Sequence, residues 1–440
     1  MPLPDPICLA ARIAQARPLC RIGRIQRIGA MRVVADGLSD VARLGDRAEL
    51  ARDGGPSLSA EVIEVARDTV TLLPDLPPQG LHIGAEVRLT GPVSIAPDDS
   101  WLGRVVDPLG LPLDDLPLMP GAEPCGIDAI PPSATARRGF GARLATGLAV
   151  FNTLLPLVRG QRVGLFAGSG VGKSMLLARL AQTIEADVVV ISLIGERGRE
   201  VRDFVQHTLG PEGMRRTVVV AATSDRSALL RRNCAKTAMT VAEYFRDKGL
   251  NVLLLADSIT RFAEAHRELA VASGEAANLR GFPASTAQEI MALCERAGPG
   301  QGDMGDITAV MTVLVAGSDM EGPVADILRG VLDGHIVLDR EIAERGRYPA
   351  VNLLRSVSRS LPGAASESEN ALISEARQLL GAYDRSEIMV QSGLYSAGSD
   401  PLLDRAVALW PRLDGFLAEG TTGGIAESFL RLRTILAGQG

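Results

Sequence analysis

Residues 162–182 leave few architectural choices. An apolar run, Arg162-Val-Gly-Leu-Phe166, leads into Ala167-Gly-Ser-Gly-Val-Gly-Lys-Ser174, and a helical pattern, Met175-Leu-Leu-Ala-Arg-Leu-Ala-Gln182, follows. Strand, glycine loop, Gly-Lys-Ser and helix in that order form the setting of a phosphate-binding loop. Gly168, Gly170 and Gly172, with Ser169 and Val171 between them, let backbone N–H groups turn inward around phosphate oxygens. The new helix points its positive end at the same place. Lys173 is placed to reach the β- and γ-phosphates, and the Ser174 hydroxyl to ligate Mg²⁺. Ala167 stands where the usual pattern has its first glycine, a substitution that works if its φ is negative. The chain holds only three lysines among 46 basic residues, so Lys173 is no product of a lysine-rich composition.

Around this loop the pattern is that of an α/β core. Apolar runs at 162–166, 187–193, 217–222, 251–257, 306–315 and 335–338 read as central parallel strands, which are buried on both faces. Helical stretches such as 227–248 and 259–269 fall between them, as a nucleoside-triphosphatase sheet requires. Residues 19–92 instead carry short β runs, among them 31–34, 60–65, 69–73 and 86–89, separated by Gly, Pro and Asp turns. That spacing predicts a small barrel. Beyond about 365 the strands stop, and 370–383, 401–416 and 425–436 read as amphipathic helices. The predicted division is 1–92 for the barrel and a short extension, 93–365 for the phosphate-loop domain with a Pro- and Gly-rich connection, and 366–440 for a helical domain. The fold class is α/β.

Composition narrows the function. A formal charge of −6 argues against a basic nucleic-acid-binding surface. Residues 1–100 contain no Phe, Tyr or Trp, so the barrel lacks the platforms on which single-stranded nucleic acid stacks. The five cysteines, Cys8, Cys20, Cys125, Cys234 and Cys294, form no C-x-x-C and predict reduced core thiols. The four histidines have no metal-ligand spacing. The longest apolar stretch, 307–316, is about half of what a membrane span needs. The first residues lack a basic segment followed by an apolar one, which predicts a cytoplasmic chain.

Further residues have two readings each. Asp257 ends the apolar strand 251–257, either holding the Mg²⁺ shell near the phosphate loop or capping a helix. Ile194-Gly-Glu196-Arg197-Gly-Arg-Glu200 follows the strand after the loop's helix. Glu196 there either activates an attacking water or belongs to a mixed-charge helix start, and Arg197 is a candidate for neutralising γ-phosphate charge. Tyr348 precedes Pro349 and reads equally as a core aromatic in a turn. Arg359, in Ser356-Val-Ser-Arg359, reads equally as a surface residue.

The runs Leu165-Phe-Ala-Gly-Ser-Gly-Val-Gly-Lys-Ser174, Leu193-Ile-Gly-Glu-Arg-Gly-Arg-Glu-Val201, Leu332-Asp-Gly-His-Ile-Val-Leu338 and Ser356-Val-Ser-Arg359 resemble the flagellar type III protein-export ATPases. These are relatives of rotary ATP synthase catalytic subunits. The resemblance extends from about residue 20 to 419 and includes Gly398-Ser-Asp-Pro-Leu-Leu-Asp404 and Ala408-Leu-Trp-Pro411. It implies ATP and Mg²⁺ as ligands. Lys173 would sit on the β/γ-phosphates, Ser174 on Mg²⁺, Asp257 on its water shell and Glu200 on a metal-bound water. Glu196 would polarise the attacking water, Arg197 would touch the γ-phosphate, and Tyr348 would stack on adenine. Arg359 would be an arginine finger supplied by the neighbouring subunit of a homohexameric ring. The implied partners are a stator-like regulatory dimer, a central-stalk protein, an export-gate membrane protein, and chaperones with their substrates. The chain would lie peripherally at the inner-membrane gate.

Two departures bear on those partners. The segment Gly274-Glu-Ala-Ala-Asn-Leu-Arg-Gly-Phe-Pro-Ala-Ser285 has Ala276, Ala277 and Ala284 where many relatives have prolines, and Arg280 where they have lysine. That predicts a looser loop towards the stalk. The extension at 7–14 has room for two helical turns at most, which weakens the case for docking of the regulatory dimer. Other readings are an injectisome ATPase, which the motifs do not separate from a flagellar one, a hexameric RNA translocase, and a nucleotide-binding subunit without turnover.

Overall fold

The computed structural model describes residues 21–315 and 321–438. The extension at 7–14, with Cys8 and Cys20, lies outside the described residues. Among the described residues six antiparallel strands come first: β1 (Ile22–Ile28), β2 (Val33–Asp36), β3 (Arg47–Leu50), β4 (Leu58–Val65), β5 (Thr69–Pro74) and β6 (Glu86–Gly91). They close into a barrel in the order β1-β2-β5-β4-β3-β6. Alternate residues such as Ile25, Val33, Ala35, Val62, Val70, Leu72 and Val87 fill its aliphatic interior. β1 and β3 escape the sequence reading because polar residues interrupt their apolar ones, Arg24, Gln26 and Arg27 in β1 and Arg47 and Glu49 in β3, which leaves no apolar run to see.

The connection that follows is more structured than a linker. β7 (Ser94–Ile95) pairs with β9 (Cys125–Gly126), and β8 (Val105–Val106) joins the main sheet beside Val219 and Val220. Arg104 next to β8 is held by two hydrogen bonds of 2.7 Å to Asp114. A two-residue strand among prolines and glycines has no periodicity of its own, so only its partner reveals it.

The main sheet contains β8 and seven further strands: β10 (Arg162–Ala167), β11 (Val188–Glu196), β12 (Thr217–Thr223), β13 (Val252–Asp257), β16 (Ile307–Leu314), β17 (Gly334–Leu338) and β18 (Val357–Ser358). Their order is β18-β17-β10-β16-β13-β11-β12-β8, parallel except for β18. Between β13 and β16 lies a hairpin, β14 (Ala277–Leu279) and β15 (Phe282–Pro283). The altered 274–285 segment forms this hairpin. Arg280 at φ 49° and Gly281 at φ 94° make its two-residue turn. The Glu275 carboxylate accepts from the Ser285 N–H at 3.0 Å and from its hydroxyl at 2.6 Å.

Strand alternation divides the core between the two faces of the sheet. Val163, Leu165, Ala167, Leu253 and Leu255 face one side, where they meet α1 (Ala149–Asn152) and α2 (Lys173–Thr183). Phe166, Val252, Leu254, Ala256 and Met311 face the other. There they meet α5 (Ala228–Asp247), α6 (Ile259–Ala272), α7 (Ser285–Arg296) and α8 (Pro323–Val331). The short helices α3 (Gly198–Asp203), α4 (Gly210–Met214) and α9 (Arg340–Glu344) lie in connections. The chain ends in α10 (Glu367–Gln391), α11 (Pro401–Ala418) and α12 (Gly424–Leu436). α10 is longer at both ends than the predicted 370–383. Its start is set by a capping box between Ser366 and Glu369. These helices share the core of the phosphate-loop face through Ile373, Leu379, Leu413 and Phe416.

The barrel is tied on by Glu61, which is buried and lies 2.8 Å from Arg232 on α5. Of the described cysteines Cys234 and Cys294 are buried and Cys125 is half-buried, so Cys125 departs from the expected core placement. Among the described residues no helix is long and apolar enough to cross a membrane.

Candidate functional site

The loop after β10 takes the form the spacing predicted. Positive φ at non-glycine residues falls only on Asp115 and Arg280 among the described residues, so Ala167 keeps a negative φ and ends its strand without strain. Gly170 at φ 77° and Gly172 at φ 84° make the turn. Gly172 is the N-cap of α2, and its carbonyl accepts from Leu176 N at 3.0 Å. Gly168, Ser169 and Gly170 are partly or fully exposed, whereas Val171 is buried and anchors the loop. Ser174 lies exposed on the first turn of α2.

Three charged groups meet beside the loop. Lys173 Nζ is 2.5 Å from Asp257 Oδ1 and 3.7 Å from Glu196 Oε1. β13 and β11 are parallel neighbours with Leu193 opposite Asp257, so both carboxylates leave the sheet at its carboxyl end, next to the loop after β10. That is where open α/β sheets bind ligands. Burial pushes the Glu196 carboxyl up to about 7. The Asp257 charge and the hydrogen bond and charge of Glu200 add to this shift, and Lys173 opposes it. Asp257 is buried, and its Oδ1 also accepts from the Thr312 hydroxyl at 2.7 Å. The Asp257–Ser258 peptide is cis, and the Ser258 side chain caps α6.

The remaining candidates fall in three places. Glu200 lies on the first turn of α3, near Glu196, and pairs with Arg197 at 3.4 Å. The Arg197 side chain is 81% exposed, so in this conformation it points away from the three-charge cluster. Tyr348 flanks the loop from the other side: a Cβ at Gly172 would lie 3.0 Å from its ring. Tyr348 is 44% exposed, which removes the core-aromatic reading. With Pro349, Met175, Arg179, Ala418 and Gly420 it lines a cavity of about 220 Å³.

Arg359 is not brought to this site. Its backbone N–H bonds Asp333 O at 3.0 Å, and its guanidinium bonds Arg329 O at 3.1 Å. Asp333 N in turn bonds Arg162 O, at the first residue of β10. The phosphate loop begins after the last residue of that strand, roughly 16 Å away at about 3.3 Å per residue. Arg359 is exposed at the opposite end of the sheet from its own loop.

Sequence reasoning missed Thr312, because a threonine in an apolar strand reads as β-branched filler. It also missed Met175, Arg179, Ala418 and Gly420, which share a cavity with Tyr348 only because the chain leaving α11 pairs with the start of α1, where the Ala149 N–H bonds Glu419 O at 3.0 Å. Among the described residues no group of three His, Cys, Asp or Glu side chains could hold a metal unaided. Ser174, Asp257 and Glu200 are hard oxygen donors around an anion-binding loop. They fit a Mg²⁺ that takes most of its ligands from water and phosphate.

Comparison with known proteins agrees with this geometry. Residues 147–358 match the nucleotide-binding domain of the ATP synthase alpha/beta family. Residues 365–426 match the C-terminal domain of the type III secretion ATPase EscN. The chain is 44% identical over 419 residues to the flagellum-specific ATP synthase of Caulobacter vibrioides, covering 93% of this chain and 94% of that one. It is 42% identical to the type 3 secretion system ATPase of Pseudomonas syringae pv. syringae, covering 93% and 92%. It superposes with a TM-score of 0.85 on the assembled ATPase EscN in complex with its central stalk EscO, from enteropathogenic E. coli, at 36% identity over 94% of this chain and 100% of that one. On phosphate loop, sheet order and near full-length similarity alike, the chain belongs to the family of flagellum-specific ATP synthases and type III secretion ATPases.

Proposed function

We propose that this protein is a Mg²⁺-dependent ATPase whose turnover drives type III export, with its catalytic sites at the seams of a homohexameric ring. The convergence of Lys173, Asp257 and Glu196 beside the 167–174 loop carries this reading. The loop amides and Lys173 hold the triphosphate, and Tyr348 stacks on the adenine in the cavity it lines with Ala418 and Gly420. Ser174 holds the metal, with Asp257 and Glu200 on its water shell. Bound there, Mg²⁺ supplies charge neutralisation on the phosphates. Binding draws Lys173 from Asp257 to the phosphates, which leaves Glu196 to orient the attacking water and accept its proton. A carboxyl titrating near neutrality is suited to that exchange. Arg197 swings inward to the γ-phosphate from its exposed position.

Arg359 completes the neighbouring subunit's site. Its exposure, together with its distance from its own loop, supports action in trans, and the assembled state of the EscN relative supports a ring. That relative's complex with its central stalk supports a stalk contact here as well. The cargo is unfolded flagellar protein delivered by chaperones to an export gate at the inner membrane. The flagellar relatives support that choice, while the Pseudomonas syringae relative keeps an injectisome as the second reading. The test of turnover is phosphate release by wild type, Lys173→Ala and Glu196→Gln. Lys173→Ala must lose turnover, and Glu196→Gln must bind a non-hydrolysable ATP analogue while losing it. Normal turnover in Lys173→Ala ends the proposal. Deletion of the gene with assays of motility and effector secretion separates the two export systems.

A further inference from the structure

Strand β16 is apolar along its length except at Thr308 and Thr312. The Thr308 hydroxyl accepts from Gly160 N at 2.9 Å, which binds the start of β10 to the sheet. Thr312 has no comparable structural task. It is fully buried, lies opposite Leu165 of β10, and donates its hydroxyl to Asp257 Oδ1 at 2.7 Å. Valine would suit this strand and this core equally well, and a buried hydroxyl is costly unless it is bonded. The hydroxyl is bonded to the Asp257 carboxylate.

Asp257 Oδ1 therefore carries two donors, Thr312 and Lys173. They differ in permanence. Thr312 is part of the sheet, whereas Lys173 must leave when phosphates occupy the loop. Thr312, Asp257 and Ala167 all project to the phosphate-loop face, since the flanking Met311, Val313 and Ala256 belong to the core of the opposite face and Ala167 to that of this one.

We infer that Thr312 is a positioning residue for Asp257. Its hydroxyl keeps Oδ1 against β16 while Lys173 moves from carboxylate to phosphate, so that the other carboxylate oxygen stays directed at the metal's water shell. Mg²⁺ demands near-ideal octahedral geometry, so a carboxylate free to rotate would hold that shell poorly. This inference rests on the reading of Asp257 as a residue of the metal shell.

The test uses full-length Thr312→Val, Thr312→Ser and Asp257→Asn. Two quantities are measured: the Mg²⁺ concentration for half-maximal turnover, and the affinity for a fluorescent non-hydrolysable ATP analogue with and without Mg²⁺. Thr312→Val is expected to raise the Mg²⁺ requirement and lower kcat, each on the order of 10-fold, as loss of a group orienting a metal's ligand does. It leaves analogue affinity without Mg²⁺ unchanged. Thr312→Ser, which keeps the hydroxyl, restores both quantities. Should Thr312→Val fail to fold, Thr312→Ala carries the same expectation against the same serine control. Wild-type Mg²⁺ dependence in a folded Thr312→Val overturns the inference. So does equal impairment of the valine and serine variants, which would assign the effect to packing of the γ-methyl. If Asp257→Asn itself keeps wild-type Mg²⁺ dependence, the reading of Asp257 falls and the inference with it. A defect in Asp257→Asn without one in Thr312→Val removes the inference alone.

Discussion

The Lys173 ammonium and the Asp257 carboxylate form a buried ion pair, 2.5 Å from Nζ to Oδ1, with side-chain exposures of 13% and 5%. Removing one partner of such a pair strands the other. Lys173→Ala is therefore expected to lose turnover and also to destabilise the nucleotide-free protein by about 3 kcal/mol. Thermal melts without nucleotide check the second effect, and an unchanged midpoint would show that solvent or Thr312 already satisfies Asp257.

Glu196 gives the site a pH signature. Its folded pKa of about 7 lies above the usual carboxylate value, so the folded state binds the extra proton. Stability from this group is present at low pH and is lost as pH rises through about 7. Glu196→Gln, which never ionises, should gain stability relative to wild type on going from pH 5 to pH 8. Melts of both proteins without nucleotide at the two pH values supply the comparison. A constant difference would mean that Glu196 titrates normally.

Arg359 and Lys173 belong to different halves of the proposed seam. Arg359→Ala alone should lower turnover on the order of 10³-fold. Mixing Arg359→Ala with Lys173→Ala subunits should partly restore it, because some seams then carry both intact halves. Rings that form from the mixture yet show no recovery at any ratio would count against action in trans.

The Tyr348 ring lies beside Gly172, where an added Cβ would come within 3.0 Å of it. Tyr348→Ala should raise KM for ATP on the order of 10-fold, the worth of one base stacked on an aromatic ring. Tyr348→Phe, which keeps the ring, should stay near wild type. An equal loss in both variants would move the cause from stacking to the hydroxyl.

Burial pushes the Cys234 and Cys294 thiols up to about 12, so neither supplies thiolate near neutrality. Burial raises the Cys125 thiol too, but Cys125 is only half-buried, so in the native protein at pH 8 it should react slowly with iodoacetamide while the other two resist, and all should react in denaturant. Peptide mass mapping reads this directly. Rapid native labelling of Cys234 would place its helix, α5, in a looser setting than the packed core.

Much of the fold was legible because it is written in contiguous residues. The phosphate loop, the buried strands around it and the terminal helices follow from local turn chemistry and periodicity. The connection before residue 145 was less legible, since Val105 and Val106 become a strand only by lying beside Val219 and Val220. The candidate site divides the same way. Lys173 and Ser174 could be named from their own loop, but the bearing of Arg197 and Arg359 could not.

The sequence by itself determined that a phosphate-gripping loop joins a parallel sheet to a helix, because glycine spacing and apolar runs act within a few residues of themselves. Tertiary structure alone decided that Thr312, Asp257, Glu196 and Lys173 converge, that α11 brings Ala418 and Gly420 to Tyr348, and that Arg359 faces away from its own loop. The convergence depends on the register of strands far apart in the chain, and the Tyr348 cavity on where α11 ends. One residue of slip along a strand sends its side chains to the other face of the sheet.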